Sequence, residues 1–80
     1  MTQVHVEYHA MMRERAGKDK DTRQTQARNV EELYKELQRE YHFPLKPEQL
    51  RAAKNDAFCD WSAAIENNDT IIFIPPVAGG

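Results

Sequence analysis

One long amphipathic helix is predicted in this 80-residue chain, and it constrains the fold more than any other feature. Asn29 is a helix-capping residue type, and Glu32 three residues later suits the reciprocal partner of a capping box. Apolar side chains then recur at helical spacing, namely Val30, Leu33, Tyr34, Leu37 and Tyr41. Residues 30–41 therefore bury one stripe only, and the rest of the chain has to supply the surface that covers it.

The strongest strand signals lie near the two ends of the chain. Val4, Val6 and Tyr8 alternate with polar residues, which predicts a first strand with one buried face. Residues 70–74 are rich in β-branched and aromatic types, which predicts a buried central strand. Because the connection between these strands contains the helix, they can pair in parallel with the helix as the crossover.

Weaker signals occupy the segments between these elements. Residues 11–16 have a helical pattern that ends at Gly17, a residue suited to the left-handed position that closes a helix. Residues 21–27 favour an edge strand, and residues 52–57 favour a short strand interrupted near Asn55 and Asp56. The order of elements predicts an α+β domain, a mostly antiparallel sheet with one helix on one face.

Composition and charge exclude several classes of function. The net charge is -2 and the basic residues of segment 13–21 are interleaved with acidic ones, so no nucleic-acid partner is expected. The longest apolar stretch, residues 71–77, contains two prolines and is far shorter than the roughly 20 residues of a membrane helix. With no apolar signal region at the N-terminus, a cytoplasmic protein without a membrane partner is expected.

The sequence offers few residues for catalysis or metal binding. One cysteine and three scattered histidines do not have the spacing of a structural zinc site, and three glycines leave no phosphate-binding loop, so no metal or bound cofactor is expected. His5, Glu7 and His9 fit a solvent-exposed strand face better than a weak metal site. Cys59 fits a small buried side chain better than a nucleophile, because no base is identifiable near it.

The most informative feature is the end of the sequence, where two of the three glycines are Gly79 and Gly80. Pro75 and Pro76 stop a sheet ladder and project the last residues as an extended arm. Glycines without side chains let a backbone carboxylate enter a narrow active site. A partner enzyme could adenylate that carboxylate, after which a sulfur or an amine nucleophile could attack it. The alternative is an ordinary frayed end.

Several of these segments together resemble a known family. The ending IIFIPPVAGG, the turn ENNDT, and the segments AAKNDAF, VHVEYHA, MMRERAG and NVEEL are similar to the small sulfur-carrier subunit of molybdopterin synthase, the MoaD family. The similarity covers nearly the whole chain, and PPVAGG is its specific part. It implies a ubiquitin-like β-grasp fold, a mixed sheet with one main helix packed on one face over residues 1–74, and an extended tail over residues 75–80.

The resemblance implies that Gly80 is the working residue. An ATP-dependent adenylating enzyme of the ubiquitin-activating type would activate it as an acyl adenylate, so ATP would be used by that partner. With a sulfurtransferase as the sulfur source, a C-terminal thiocarboxylate would form and donate sulfur to a cyclic pyranopterin precursor. That reaction would take place in the large subunit of molybdopterin synthase, commonly in a heterotetramer. The carrier itself would be a sulfur-donor subunit with no active site of its own.

The resemblance also implies residues that bind the partner. Phe58 and Ile74 fall where the family has apolar contacts, although ordinary core packing explains them equally well from sequence. His9 departs from the family pattern, because an aromatic contact is common at that position. The inserted tail would consist of Pro75, Pro76, Val77, Ala78 and Gly79.

Three other functions remain open at this point. A sulfur carrier for thiamine, cysteine or another metabolite would share the Gly-Gly end. A ubiquitin-like modifier would join its C-terminus to lysine amines instead of accepting sulfur. A plain interaction module would keep its activity without Gly80.

Overall fold

The computed structural model describes residues 1–76, which form a five-stranded mixed sheet with one main helix on one face. The chain runs through β1 (Thr2–Tyr8), α1 (Met11–Ala16), β2 (Lys20–Thr25), α2 (Val30–Tyr41), a 3-10 turn (Pro47–Gln49), β3 (Arg51–Lys54), β4 (Ala57–Cys59) and β5 (Asp69–Ile74). The strand order is β2-β1-β5-β3-β4. As predicted, β5 is the central strand. It pairs in parallel with β1, one of the arrangements that the sequence left open, with α2 in the connection between them.

The core lies between α2 and the face of the sheet that it covers. Val4 and Val6 of β1, and Ile71 and Phe73 of β5, are completely buried there. The Tyr34 ring of α2 packs among the Phe43, Trp61 and Phe73 rings, with centroids 5.1 to 6.1 Å apart. Its hydroxyl donates a 2.6 Å hydrogen bond to the Leu45 carbonyl, and burial raises the pKa of Tyr34 to about 12. The buried aromatic group is thus satisfied at its polar end.

The two helices begin and end at residues that the sequence identifies. Asn29 accepts a 2.8 Å hydrogen bond from the Glu32 backbone N–H, as a helix N-cap does. The predicted reciprocal bond to Asn29 is wrong, because the Glu32 carboxylate accepts from the Arg28 backbone N–H instead, at 2.9 Å. Gly17 closes α1 with a φ of 76°, in the left-handed conformation that glycine adopts without strain.

The segment 52–57, predicted as one interrupted strand, instead spans parts of two strands, β3 and β4, and the turn between them. Asn55 and Asp56 both have positive φ angles, 51° and 72°, which is the backbone of a tight hairpin turn. The turn folds β4 back on β3, so that Ala53 and Phe58 lie opposite each other. The hairpin therefore places Phe58 on the edge strand of the sheet.

The polar strand β2 is an edge strand, as predicted, and ion pairs attach it to α2. The Arg23 guanidinium lies 2.7 Å from the Glu40 carboxylate and 3.2 Å from that of Glu36. Asp21 contacts the same guanidinium at 3.5 Å. These contacts and the pairing with β1 compensate for the low apolar content of β2. Within residues 1–76, no helix is long and apolar enough to cross a membrane.

Candidate functional site

The face of the sheet turned away from α2, here called the outer face, has an apolar half and a polar half. Its apolar half consists of Phe58 on β4, Ala53 on β3, and Ile72 and Ile74 on β5, which together we call the apolar stripe. Phe58 lies opposite Ala53, and Ala53 lies opposite Ile72. The polar half lies on β1 and β2 and includes Gln3, His5, Glu7, Thr22 and Gln24.

Phe58 and Ile74, the two predicted apolar contact residues, both lie outside the core. The Phe58 residue is 61% exposed, and Ile74 is half-buried. The apolar run of β5 serves both faces of the sheet, because Ile71 and Phe73 point to the core while Ile72 and Ile74 point outward. Ordinary core packing is therefore excluded for Phe58, and its binding of a partner stays a prediction.

The predicted tail leaves the sheet beside the apolar stripe. β5 ends at Ile74, opposite Arg51, and Pro75 and Pro76 follow as half-buried and exposed residues outside the ladder. They border a shallow groove whose other side is formed by the segment 48–51. The remaining predicted tail residues, Val77, Ala78, Gly79 and Gly80, lie outside the residues that the structure describes.

Arg51 is a feature of this surface that sequence reasoning missed. Its guanidinium carbon lies 4.0 Å from the centroid of the Phe58 ring, so the cation stacks on the exposed aromatic side chain. The alternation of residues along β3 would have placed Arg51 on the same face as Ala53. The register between β3, β4 and β5 was needed to bring it to Phe58 and Ile74.

The candidate nucleophile and the histidines lie apart from one another. Burial raises the pKa of the Cys59 thiol, so it is protonated at neutral pH and does not act as an activated nucleophile. His5 Nδ1 lies 2.9 Å from the Thr22 hydroxyl, and His9 Nε2 lies 4.0 Å from a Glu7 carboxylate oxygen. Among residues 1–76, no three His, Cys, Asp or Glu side chains are grouped to hold a metal ion.

This arrangement suits delivery of a chain end to another protein. The apolar stripe, with the exposed Phe58 ring, lies on the same face of the sheet as Ile74, after which the tail starts. Apolar surface of this kind is typical of sites at which proteins interact.

Three solved structures show the same fold. The small archaeal modifier protein 1 from Methanosarcina acetivorans has a TM-score of 0.80 at 21% identity, over 100% of this chain and 98% of that chain. The putative molybdopterin converting factor, subunit 1, from Pyrococcus furiosus has a TM-score of 0.78 at 22% identity, over 96% and 100%. A chain of the complex of subunits 1 and 2 of the molybdopterin-converting factor from Helicobacter pylori has a TM-score of 0.69 at 22% identity, over 99% and 100%. The predicted ubiquitin-like β-grasp fold is confirmed.

The sequence itself matches a family model along almost its whole length. No curated protein sequence matches the chain significantly. The model of the ThiS family, however, matches residues 6–80, from the middle of β1 through the Gly-Gly end. The resemblance seen in the sequence is thus confirmed at the level of family and fold. The chain belongs to the ThiS family and has the fold that sulfur carriers of the ThiS and MoaD type share with ubiquitin-like modifiers.

Proposed function

We propose that this protein is a sulfur carrier in molybdenum cofactor biosynthesis and that Gly80 carries the sulfur. One observation carries the proposal: the central strand ends at Ile74 and is followed by Pro75 and Pro76 beside the apolar stripe, and the family match continues to the Gly-Gly end. The surface proposed for docking thus lies next to Pro75 and Pro76, the first residues of the segment that would carry the reacting group.

The chemistry begins at the C-terminal carboxylate of Gly80. In the active site of an adenylating enzyme of the ubiquitin-activating type, a carboxylate oxygen attacks the α-phosphorus of ATP and pyrophosphate leaves. A persulfide of a sulfurtransferase then attacks the acyl carbon and displaces AMP, and a thiol reductant cleaves the resulting acyl disulfide to leave a thiocarboxylate on Gly80. This thiocarboxylate is ionised at neutral pH, and its sulfur forms a bond to a carbon of a cyclic pyranopterin precursor. Water then hydrolyses the acyl–sulfur bond, which leaves the sulfur on the precursor and regenerates the Gly80 carboxylate.

This chain contributes recognition and delivery, and its partners contribute catalysis. The large subunit of molybdopterin synthase would cover the apolar stripe and receive the tail, so that the carrier needs no base of its own. Support comes from the Helicobacter pylori structure, in which a chain of the same fold is found in a complex of subunits 1 and 2. The proposed setting is the cytoplasm, because the adenylating partner uses ATP and because Cys59 is a free cysteine, as is usual in a reducing compartment.

A ubiquitin-like modifier is the second candidate function. It is favoured by the similarity to the archaeal modifier protein, which has the highest TM-score of the three structures described above. In that case a lysine amine, rather than a sulfur nucleophile, would attack the same acyl adenylate and form an isopeptide bond. A carrier that supplies sulfur for thiamine, cysteine or another metabolite would differ only in the acceptor.

Intact-mass measurement of protein purified from its native cells tests the proposal. We expect a species in which one C-terminal oxygen is replaced by sulfur, formed also in vitro with the adenylating enzyme, ATP and a sulfur source. A terminus found joined to lysines would instead establish the modifier function. A terminus that stays a carboxylate under both conditions would contradict both candidates.

Variants at the chain end provide the control for this measurement. Deleting Gly80, or adding one residue after it, should abolish molybdopterin formation by the reconstituted synthase. Both variants should melt at the wild-type temperature, because the core lies within residues 4–73 and residues 1–74 are predicted to form the domain. Cofactor formation by either variant would contradict the role of Gly80.

A further inference from the structure

The exposed pair formed by Arg51 and Phe58 lies on the outer face, near the start of the tail. The guanidinium carbon of Arg51 is 4.0 Å from the Phe58 ring centroid, and both residues are exposed. Arg51 is also the residue paired with Ile74, the last residue of β5. Any protein that covers the apolar stripe and receives the tail must therefore cover this guanidinium as well.

The N–H groups of Arg51 have no acidic partner in the described part of the chain. A guanidinium stacked on a ring uses its flat face, which leaves the five N–H donors in its plane available. No Asp or Glu oxygen of residues 1–76 lies within 4.0 Å of it, and none of the side-chain hydrogen bonds there involves it. Arg23, in contrast, contacts three carboxylates.

Covering this pair has a consequence for the chemistry of the partner. A guanidinium that loses its water without gaining an acceptor is strongly unfavourable. A carboxylate is the acceptor that matches the planar fork of N–H donors, with two parallel hydrogen bonds. We propose that the partner surface that docks on the apolar stripe presents a carboxylate to Arg51, next to the apolar side chains that cover Phe58 and Ile74. This inference rests on the proposed function, because it names the chemistry of the protein that receives the tail.

The charges around Arg51 favour a protein carboxylate over an extended polyanion. Glu7 lies on the outer face beside Ile72, and Glu48 borders the groove at the start of the tail. A nucleic acid would bring further phosphates close to these two carboxylates, and the chain as a whole has a net charge of -2. A single carboxylate surrounded by apolar side chains pairs with Arg51 and adds no further negative charge to this surface.

Arg51 would therefore act as a specificity residue. A partner with an apolar surface but no acceptor would leave the guanidinium unpaired, and a partner with a lysine or arginine at that point would be repelled. Lysine at position 51 would keep the charge but lose both the stacking on Phe58 and the paired hydrogen bonds.

Titration calorimetry with the purified large subunit of molybdopterin synthase from the same organism tests this inference. We expect Arg51→Met to weaken binding by about 10- to 100-fold, in the range of a hydrogen-bonded charged pair, and Arg51→Lys to weaken it less. Arg39→Met on α2 is the matched control, because Arg39 is also exposed but lies on the helix, away from the outer face. It should bind as the wild type does.

A charge swap identifies the acceptor. Carboxylates of the large subunit would be replaced by arginine one at a time and tested against Arg51→Glu, and one combination should recover at least tenfold of the lost affinity. If Arg51→Met binds within twofold of the wild type while Phe58→Ala binds weakly, this inference is overturned and the proposed function stands. If the wild type itself does not bind the large subunit, the proposed function fails and this inference fails with it.

Discussion

At the scale of single residues, Phe58 shows how little the residue type says about location. Phenylalanine in a short apolar segment is most often a core residue, yet Phe58 is 61% exposed. The reason lies in its neighbours: β4 has only three residues, and Cys59 rather than Phe58 points to the core side, opposite Ala52. An aromatic side chain held in water by an edge strand is available for binding.

Phe58→Ala should separate binding from stability. Because the ring has little contact with the core, we expect the free energy of unfolding to change by less than about 1 kcal/mol. Affinity for the large subunit should fall about tenfold or more, since the ring loses its water only in the complex. Urea unfolding and calorimetry measure the two quantities.

A matched change in the core, Phe73→Ala, should cost about 3 to 5 kcal/mol of stability. A similar loss for Phe58→Ala would refute its place at the interface.

At the scale of elements, α2 is held at its N-terminus by groups from distant parts of the chain. The Val30 and Glu31 N–H groups donate to the carbonyls of Ala63 and Trp61, at 3.1 and 2.9 Å. Asn29 satisfies the Glu32 N–H group. The first-turn N–H groups of a helix have no partner within the helix, so these contacts both satisfy them and attach the loop before β5 to α2.

Removing the cap of α2 should weaken the whole domain. Asn29→Ala deletes the acceptor of the Glu32 N–H group, and a loss of about 1 kcal/mol of stability is expected. Asn29→Asp keeps the acceptor and should retain the wild-type stability or exceed it, because a negative charge is favourable at a helix N-terminus. The urea midpoints of the two variants give the comparison. Equal midpoints for the alanine and aspartate variants would show that the cap contributes nothing.

At the scale of the whole molecule, Asp69 joins segments that are far apart in sequence. It lies at the start of the central strand and is 8% exposed. Its carboxylate accepts hydrogen bonds from the Asn55 side chain at 2.9 Å and the Glu66 backbone N–H at 2.8 Å. Burial opposes ionisation of Asp69, but these hydrogen bonds and the Lys54 ammonium together hold its pKa below the usual range.

The lowered pKa of Asp69 predicts a loss of stability in acid. A carboxyl group with a lower pKa in the folded state stabilises the protein above its unfolded pKa of about 3.9, and that contribution is lost as the pH falls through the folded value. Asp69→Asn should cost about 1 to 3 kcal/mol at pH 7. It should also flatten the dependence of stability on pH below about pH 5.

Urea unfolding at several pH values tests this, with Asp56→Asn in the exposed hairpin turn as the control. Parallel curves for wild type and Asp69→Asn would contradict it.

Local patterns were sufficient to predict most of the elements. The period of two in β1, the helical spacing in α2 and the apolar composition of β5 each depend on neighbouring residues, so all three were predicted within one or two residues of their observed bounds. The parallel pairing of β1 with β5 was only one possibility from the sequence, because a helix in the connection permits that arrangement without fixing the strand order. The hairpin at Asn55 and Asp56 was missed because its two strands have only three or four residues each.

The sequence by itself determined the α+β class, the resemblance to a carrier family and the Gly-Gly end on which the proposed chemistry depends. These features are written in contiguous residues, and no contact between distant segments is needed to recognise them. Only the tertiary structure decided that Phe58 is exposed, that Ile74 faces outward and that Arg51 stacks on Phe58. Such facts depend on strand register, because a shift of one residue moves every side chain of a strand to the opposite face of the sheet.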